Sequence, residues 1–167
     1  MLKMIPNILT FSRLVLTVVF LAMLFFVPGP EAERVLFLDT AFVIFVIAGI
    51  TDMIDGTVAR RLGAASKFGR IVDPLADKIL VCGAFICFAV IGRPQLFSIP
   101  GPWLSAIHIS VAVILVLREV CVTFIRHAAE ARGIEFAATA SGKIKMFIQS
   151  FAIGTVVIKM AHVPDEV

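Results

Sequence analysis

The sequence predicts an all-α integral membrane protein, one domain over residues 1–167 folded as a bundle of about five transmembrane helices. Three observations predict it. The chain is 60% hydrophobic and 16% charged, whereas a soluble domain is nearer half apolar and a quarter charged. Its apolar runs reach the roughly 20 residues needed to cross a bilayer. Its cations gather on one side of those runs, as membrane topology requires.

The first run is Ile8–Val27. It carries Arg13, lacks a small-x-small cleavage site and leads straight into more apolar sequence, so it reads as a span and not a signal peptide. Pro28, Gly29 and Pro30 separate it from the second run, Val35–Asp55. A short polar turn with Gly63 and Gly69 is expected next, and then the third run, Ile71–Ile91. Pro74 is best tolerated if that helix restarts just before it. Gly92, Pro94, Pro100, Gly101 and Pro102 break the third run from the fourth, Trp103–Ile125. The fifth, about Gly142–His162, has a shorter apolar centre with lysines at both ends. The loops after the first and third runs hold Arg34 and Arg93. The other side holds Lys3, Arg60, Arg61, Lys67, Arg70, Arg126 and Arg132. That bias places the N-terminus and residues 51–78 at the cytoplasmic face.

Several readings are excluded or set aside. No basic stripe with interleaved aromatics exists, so no nucleic-acid partner is expected. Cys82, Cys87 and Cys121 fall within spans without metal-ligand spacing, and read as small buried apolar residues. His108 reads as buried packing and His127 as interfacial. Glu31, Glu33 and Glu135 read as solvated loop charges.

The segment TDMIDGTVARRLGAASKFGRIVDPLADK holds Asp52, Asp55, Asp73 and Asp77. Asp52 and Asp55 share a helical face at three residues' spacing, as Asp73 and Asp77 do at four. Antiparallel packing of the two helices can bring the pairs together. Four facing carboxylates repel or take up protons unless divalent cations lie between them. Mg²⁺ and Mn²⁺ prefer oxygen ligands, and two-metal sites serve in-line displacement at phosphorus. Gly56 and Ala59 leave room for a bulky group, and Arg60 offers a fork of donors suited to phosphate. Solvated, snorkelling charges are the bland alternative for any one of these residues.

Asp52-x2-Asp55-Gly56-x2-Ala59-Arg60-x8-Gly69-x3-Asp73-x3-Asp77 resembles the signature of the CDP-alcohol phosphatidyltransferases. The N-terminal IPNILTFSR, and LREVCVTFIR and SGKIKMFIQ further on, resemble the branch of bacterial phosphatidylglycerophosphate synthases, and the resemblance runs from about residue 4 to 160. It implies a dimer of bundles of six helices with a cavity open to the cytoplasm, in a bacterial inner membrane. The sixth helix would be missing from this chain. It also implies two Mg²⁺ or Mn²⁺ ions on Asp52, Asp55, Asp73 and Asp77, with Asp77 as general base. Asn7, Thr10, Asp55, Gly56, Arg60 and Ser66 would contact CDP-diacylglycerol. Arg118, Arg126, Lys143 and Lys145 would hold glycerol 3-phosphate, which accepts the phosphatidyl group as CMP leaves.

The acceptor side also has a physical reading. Arg118 and Arg126 lie about 80° apart around a helix and can border one cavity. Lys143 and Lys145 diverge by about 200°, so only one points fully inward; correspondence with the family favours Lys143. Glu119 could orient Arg118 or simply neutralise it. The competing readings are the same family with inositol phosphate, serine or phosphatidylglycerol as acceptor, a membrane prenyltransferase, and a cation channel or transporter. The prenyltransferase would need two separated aspartate motifs and more spans. The channel leaves Gly56, Ala59 and Arg60 unexplained.

Overall fold

The computed structural model describes residues 5–28, 31–62, 67–93, 99–132 and 140–163, with side chains at 11–28, 33–51, 75–93, 99–129, 131–132 and 144–163. Every described element is helical. They are α1 (Ile5–Phe25), α2 (Glu31–Leu62), α3 (Lys67–Ile91), α4 (Gly101–Glu130) and α5 (Ala140–His162). Three stretches are long and apolar enough to cross a membrane: Glu33–Thr51, Gly101–Ala129 and Ile144–His162. Phe11–Phe25 is a shorter apolar helix. With its greasy exterior this is an all-α integral membrane protein.

Helix α2 exceeds the apolar run that announced it. It continues through Asp52, Asp55 and Arg60 to Leu62, so the first aspartate pair lies within a helix and not at its end. Gly69 is placed inside α3 and not in a turn, while Gly63 lies outside the described residues. Pro74 does not mark a restart either: α3 begins at Lys67 and runs through it. A membrane helix can absorb a proline because neighbouring groups satisfy the backbone carbonyl it frees. Glu31 and Glu33 belong to the first turn of α2, where carboxylates complement the helix dipole. Glu135 lies outside the described residues. Helix α3 stops at Gly92, whose φ of 68° is left-handed and whose N–H reaches the Phe88 carbonyl at 3.0 Å.

Packing closes a ring of four helices. Helix α1 packs on α2 and α3, and α5 packs on the same two from the other side. Their inner faces meet in one apolar core, in which Phe20, Leu24, Leu38, Ala41, Ala84, Ile153 and Val157 are fully buried. Aliphatic lipid tails are as apolar as leucine, so close approach must come from small residues. Gly83 is one such point: a Cβ there would stand 2.6 Å from Leu21 Cδ1. Gly154 is another, with Phe42 Cε2 at 3.1 Å from the same hypothetical atom. Helix α4 lies outside the ring and, among the described residues, packs on α3 alone. Leu104, Ala112 and Glu119 are its buried residues, all on one face.

Candidate active site

Asp77 sits on the part of α3 that faces α1. Its Oδ1 accepts a charge-assisted hydrogen bond from Arg13 Nη2. The Arg13 side chain is 2% exposed and that of Asp77 31%. A guanidinium so deep in an apolar helix needs an anion, because desolvating it alone is costly. The carboxylate is therefore pinned from one side and reachable from the other. Thr17, one turn beyond Arg13 on α1, is fully buried, and its hydroxyl has no partner among the described residues.

The second constellation gathers on Glu119, a buried residue of α4. Arg118 Nη1 donates to Glu119 Oε1 at 2.9 Å. Lys145, from the second turn of α5, forms an ion pair with the same oxygen. Cys82 on α3 lies within electrostatic range of Glu119, Lys145 and Lys78. Cys82 is five residues beyond Asp77, about 7.5 Å along the helix axis. Cys82 thus lies between one and two turns along α3 from the aspartate and about 140° around the helix from it.

The other residues singled out in the sequence divide into three groups. Asp52, Asp55, Gly56 and Arg60 lie in α2, Asp73 in α3, Asn7 and Thr10 in α1, and Lys143 in the first turn of α5. Their side chains are outside the described residues, and Ser66 is outside them altogether. The meeting of the two aspartate pairs therefore also lies outside the described residues. Arg126 is exposed, two turns beyond Arg118, and no described contact joins it to the cluster. Lys145 turns toward Glu119; the direction of Lys143, which correspondence with the family favours, lies outside the described residues.

Remaining expectations fare unevenly. His108 is half-buried, and neither of its ring nitrogens is bonded among the described residues. The three cysteines are free. Cys82 and Cys87 are half-buried, but Cys121 is exposed on α4 rather than buried, because α4 turns most of its circumference away from the bundle. The contact of Asp77 that the sequence did not announce is Arg13. Arg13 itself carried a signal: an arginine within an apolar span marks a functional position by default.

Comparison with known proteins gives a family and relatives. Residues 3–165 match the model of a family described as CDP-alcohol phosphatidyltransferase. A probable phosphatidylglycerophosphate synthase of Mycobacterium tuberculosis is 40% identical over 158 residues, covering 94% of this chain and 67% of that protein. The CDP-diacylglycerol–glycerol-3-phosphate 3-phosphatidyltransferase of Bacillus subtilis is 30% identical over 161 residues, 92% of this chain and 76% of that one. The Salmonella choleraesuis protein of the same name is 31% identical over 151 residues, 89% and 74% respectively.

Proposed function

The chain belongs to the CDP-alcohol phosphatidyltransferase family, and from that premise we propose that it moves the phosphatidyl group of CDP-diacylglycerol onto the 1-hydroxyl of glycerol 3-phosphate. The products are phosphatidylglycerol phosphate and CMP. The acceptor oxygen attacks the phosphorus that carries the diacylglycerol. The bond from that phosphorus to CMP breaks, and CMP leaves with the electron pair. The proton of the attacking hydroxyl goes to Asp77.

The observation that carries this reading is that Arg118 and Lys145 converge on Glu119 Oε1, while Cys82, five residues beyond Asp77 on α3, lies within electrostatic range of Glu119 and Lys145. A phosphorylated acceptor needs cations at one end and a base at the other. Arg13 holds Oδ1 of Asp77, and Oδ2 serves as the base in this reading. Arg118 keeps unused donors beyond the one on Glu119, since a guanidinium has five. Lys143 and Arg126 complete the acceptor subsite in this reading. Asn7, Thr10, Asp55, Gly56, Arg60 and Ser66 hold the CDP portion of the donor.

Asp52, Asp55, Asp73 and Asp77 would hold two divalent ions, Mg²⁺ or Mn²⁺. Four carboxylates supply the hard oxygen donors such ions prefer. When bound, the ions neutralise charge on the pyrophosphate and on the departing CMP. The site faces the cytoplasm of a bacterial cell membrane, where both polar substrates are found. The protein works as one membrane domain and pairs as a homodimer, for which the outward apolar side of α4 leaves room.

The test is release of CMP from CDP-diacylglycerol by purified protein against a panel of acceptors. Glycerol 3-phosphate should support release; serine, which lacks a phosphate, should not. Release with inositol phosphate or phosphatidylglycerol in place of glycerol 3-phosphate would move the chain to another branch. No release with any acceptor, together with ion flux across vesicles, would replace the enzyme by a channel.

A further inference from the structure

We propose that Glu119 is a positioning residue that clamps Arg118 of α4 and Lys145 of α5 into one cationic pair for the acceptor's phosphate, an inference that rests on the transfer reading above. Three observations carry it. A single oxygen, Glu119 Oε1, takes a hydrogen bond from Arg118 and an ion pair from Lys145. The carboxylate is 11% exposed, so bulk water contributes little to holding it. Helix α4 packs on α3 alone among the described residues, so the contact to Lys145 is a described tie from α4 across to α5.

Geometry says why a carboxylate belongs among cations that must bind an anion. Adjacent residues on a helix do not face each other, so Arg118 left alone would follow its own direction outward. Its side chain remains 43% exposed even with the contact made. The hydrogen bond turns the guanidinium back toward the buried face of α4. Two donors on one oxygen are brought to within roughly 6 Å of each other, by ordinary hydrogen-bond lengths. One phosphate can span that gap. Both cations keep donors for it, because neither spends more than part of its set on Glu119.

The alternative is that Glu119 merely neutralises excess positive charge. The two readings differ in sign. If Glu119 only neutralises, its loss makes the subsite more positive and tightens phosphate binding. If it positions, its loss scatters the two cations and weakens binding. Glu119→Gln keeps the size and one oxygen acceptor but removes the charge that holds the lysine. Glu119→Asp keeps the charge with a shorter reach.

The experiment takes wild type, Glu119→Gln and Glu119→Asp through CMP release with each substrate varied. In parallel, Lys145 is labelled with an amine-reactive ester and read by mass spectrometry. Glu119→Gln should raise KM for glycerol 3-phosphate about tenfold, the scale of one charge-assisted hydrogen bond. KM for CDP-diacylglycerol should stay within about twofold, as expected when only one subsite is touched. Lys145 should label faster once freed, and Glu119→Asp should fall between. An unchanged or lower KM for glycerol 3-phosphate overturns the clamp, and so does an equal rise in both constants. If wild type releases no CMP with glycerol 3-phosphate, the transfer reading falls. The labelling then judges the clamp by itself, and an unchanged rate at Lys145 in Glu119→Gln overturns it.

Discussion

Removing the whole Arg13–Asp77 pair should cost no more than removing the worse half of it. The contact joins α1 to α3 across 64 residues of sequence. Its arginine is sealed at 2% exposure while its aspartate is open at 31%. Exposed pairs contribute about 0–1 kcal/mol. Breaking a fully buried pair from one side costs about 3–5 kcal/mol, because a charge is stranded. One sealed and one open partner place the coupling between those limits, at about 1–3 kcal/mol. For a chain of this size, 1 kcal/mol shifts the midpoint of thermal unfolding by about 2–4 °C. The assay is thermal unfolding in detergent of Arg13→Met, Asp77→Asn and the double variant. Each single variant should melt several degrees lower, and the double no lower than the worse single. Losses that simply add, within about 0.5 kcal/mol, would mean that the two side chains do not depend on each other. Asp77 would then not be held from the α1 side, and its orientation would have to come from elsewhere.

Three more outcomes are expected. Gly83→Ala should lower the melting temperature by no more than a few degrees, since its Cβ would meet Leu21 Cδ1 at 2.6 Å, the end of a side chain that can turn aside, and alanine itself favours the helix by about 1 kcal/mol; Gly83→Val, whose branched side chain leaves Leu21 no room to turn, should cost about 1–3 kcal/mol more, and equal effects of the two would contradict the packing described. Asp77→Asn should cut CMP release by about 10²- to 10⁴-fold, the usual worth of a general base, with CDP-diacylglycerol binding largely kept; near-normal turnover at saturating metal would exclude Asp77 as the base. Chelation should abolish activity and Mg²⁺ or Mn²⁺ restore it, with Asp52→Asn folded but crippled; full activity after exhaustive chelation would end the two-metal reading.

How much was legible in the sequence depended on whether the signal was local. Five helices were, because four apolar runs reach the length of a span and the fifth, though shorter in its apolar centre, is bracketed by lysines. The end of α2 was not. Apolarity stops near Asp55 while the helix continues to Leu62, and a hydropathy boundary marks where lipid ends, not where hydrogen bonding does. Pro74 misled for a related reason, since in a bundle the neighbours and not the helix itself decide whether a proline is borne. The aspartate spacing was legible because three- and four-residue intervals are properties of one helix. The partner of Asp77 was not, because no interval within one helix relates residues 64 apart. For Lys143 and Lys145 the angle between them could be read, but which of the two directions faces α4 depends on how α5 is rotated against α2 and α3.

That rotation is itself a consequence of charge. Between apolar helices in lipid, leucine against leucine discriminates weakly among registers, because a lipid tail serves nearly as well. Close contacts at Gly83 and Gly154 narrow the choice. Ion pairs narrow it further, since a one-residue slip would strand a buried guanidinium or carboxylate. Arg13–Asp77 does this for α1 against α3, and Glu119–Lys145 for α4 against α5. The groups assigned to chemistry and substrate binding are therefore also the groups that set register. A substitution at Asp77 or Glu119 changes the site and the packing together. Lost turnover at either position counts toward its catalytic or positioning role only when the melting curve of the same sample shows it folded at the assay temperature.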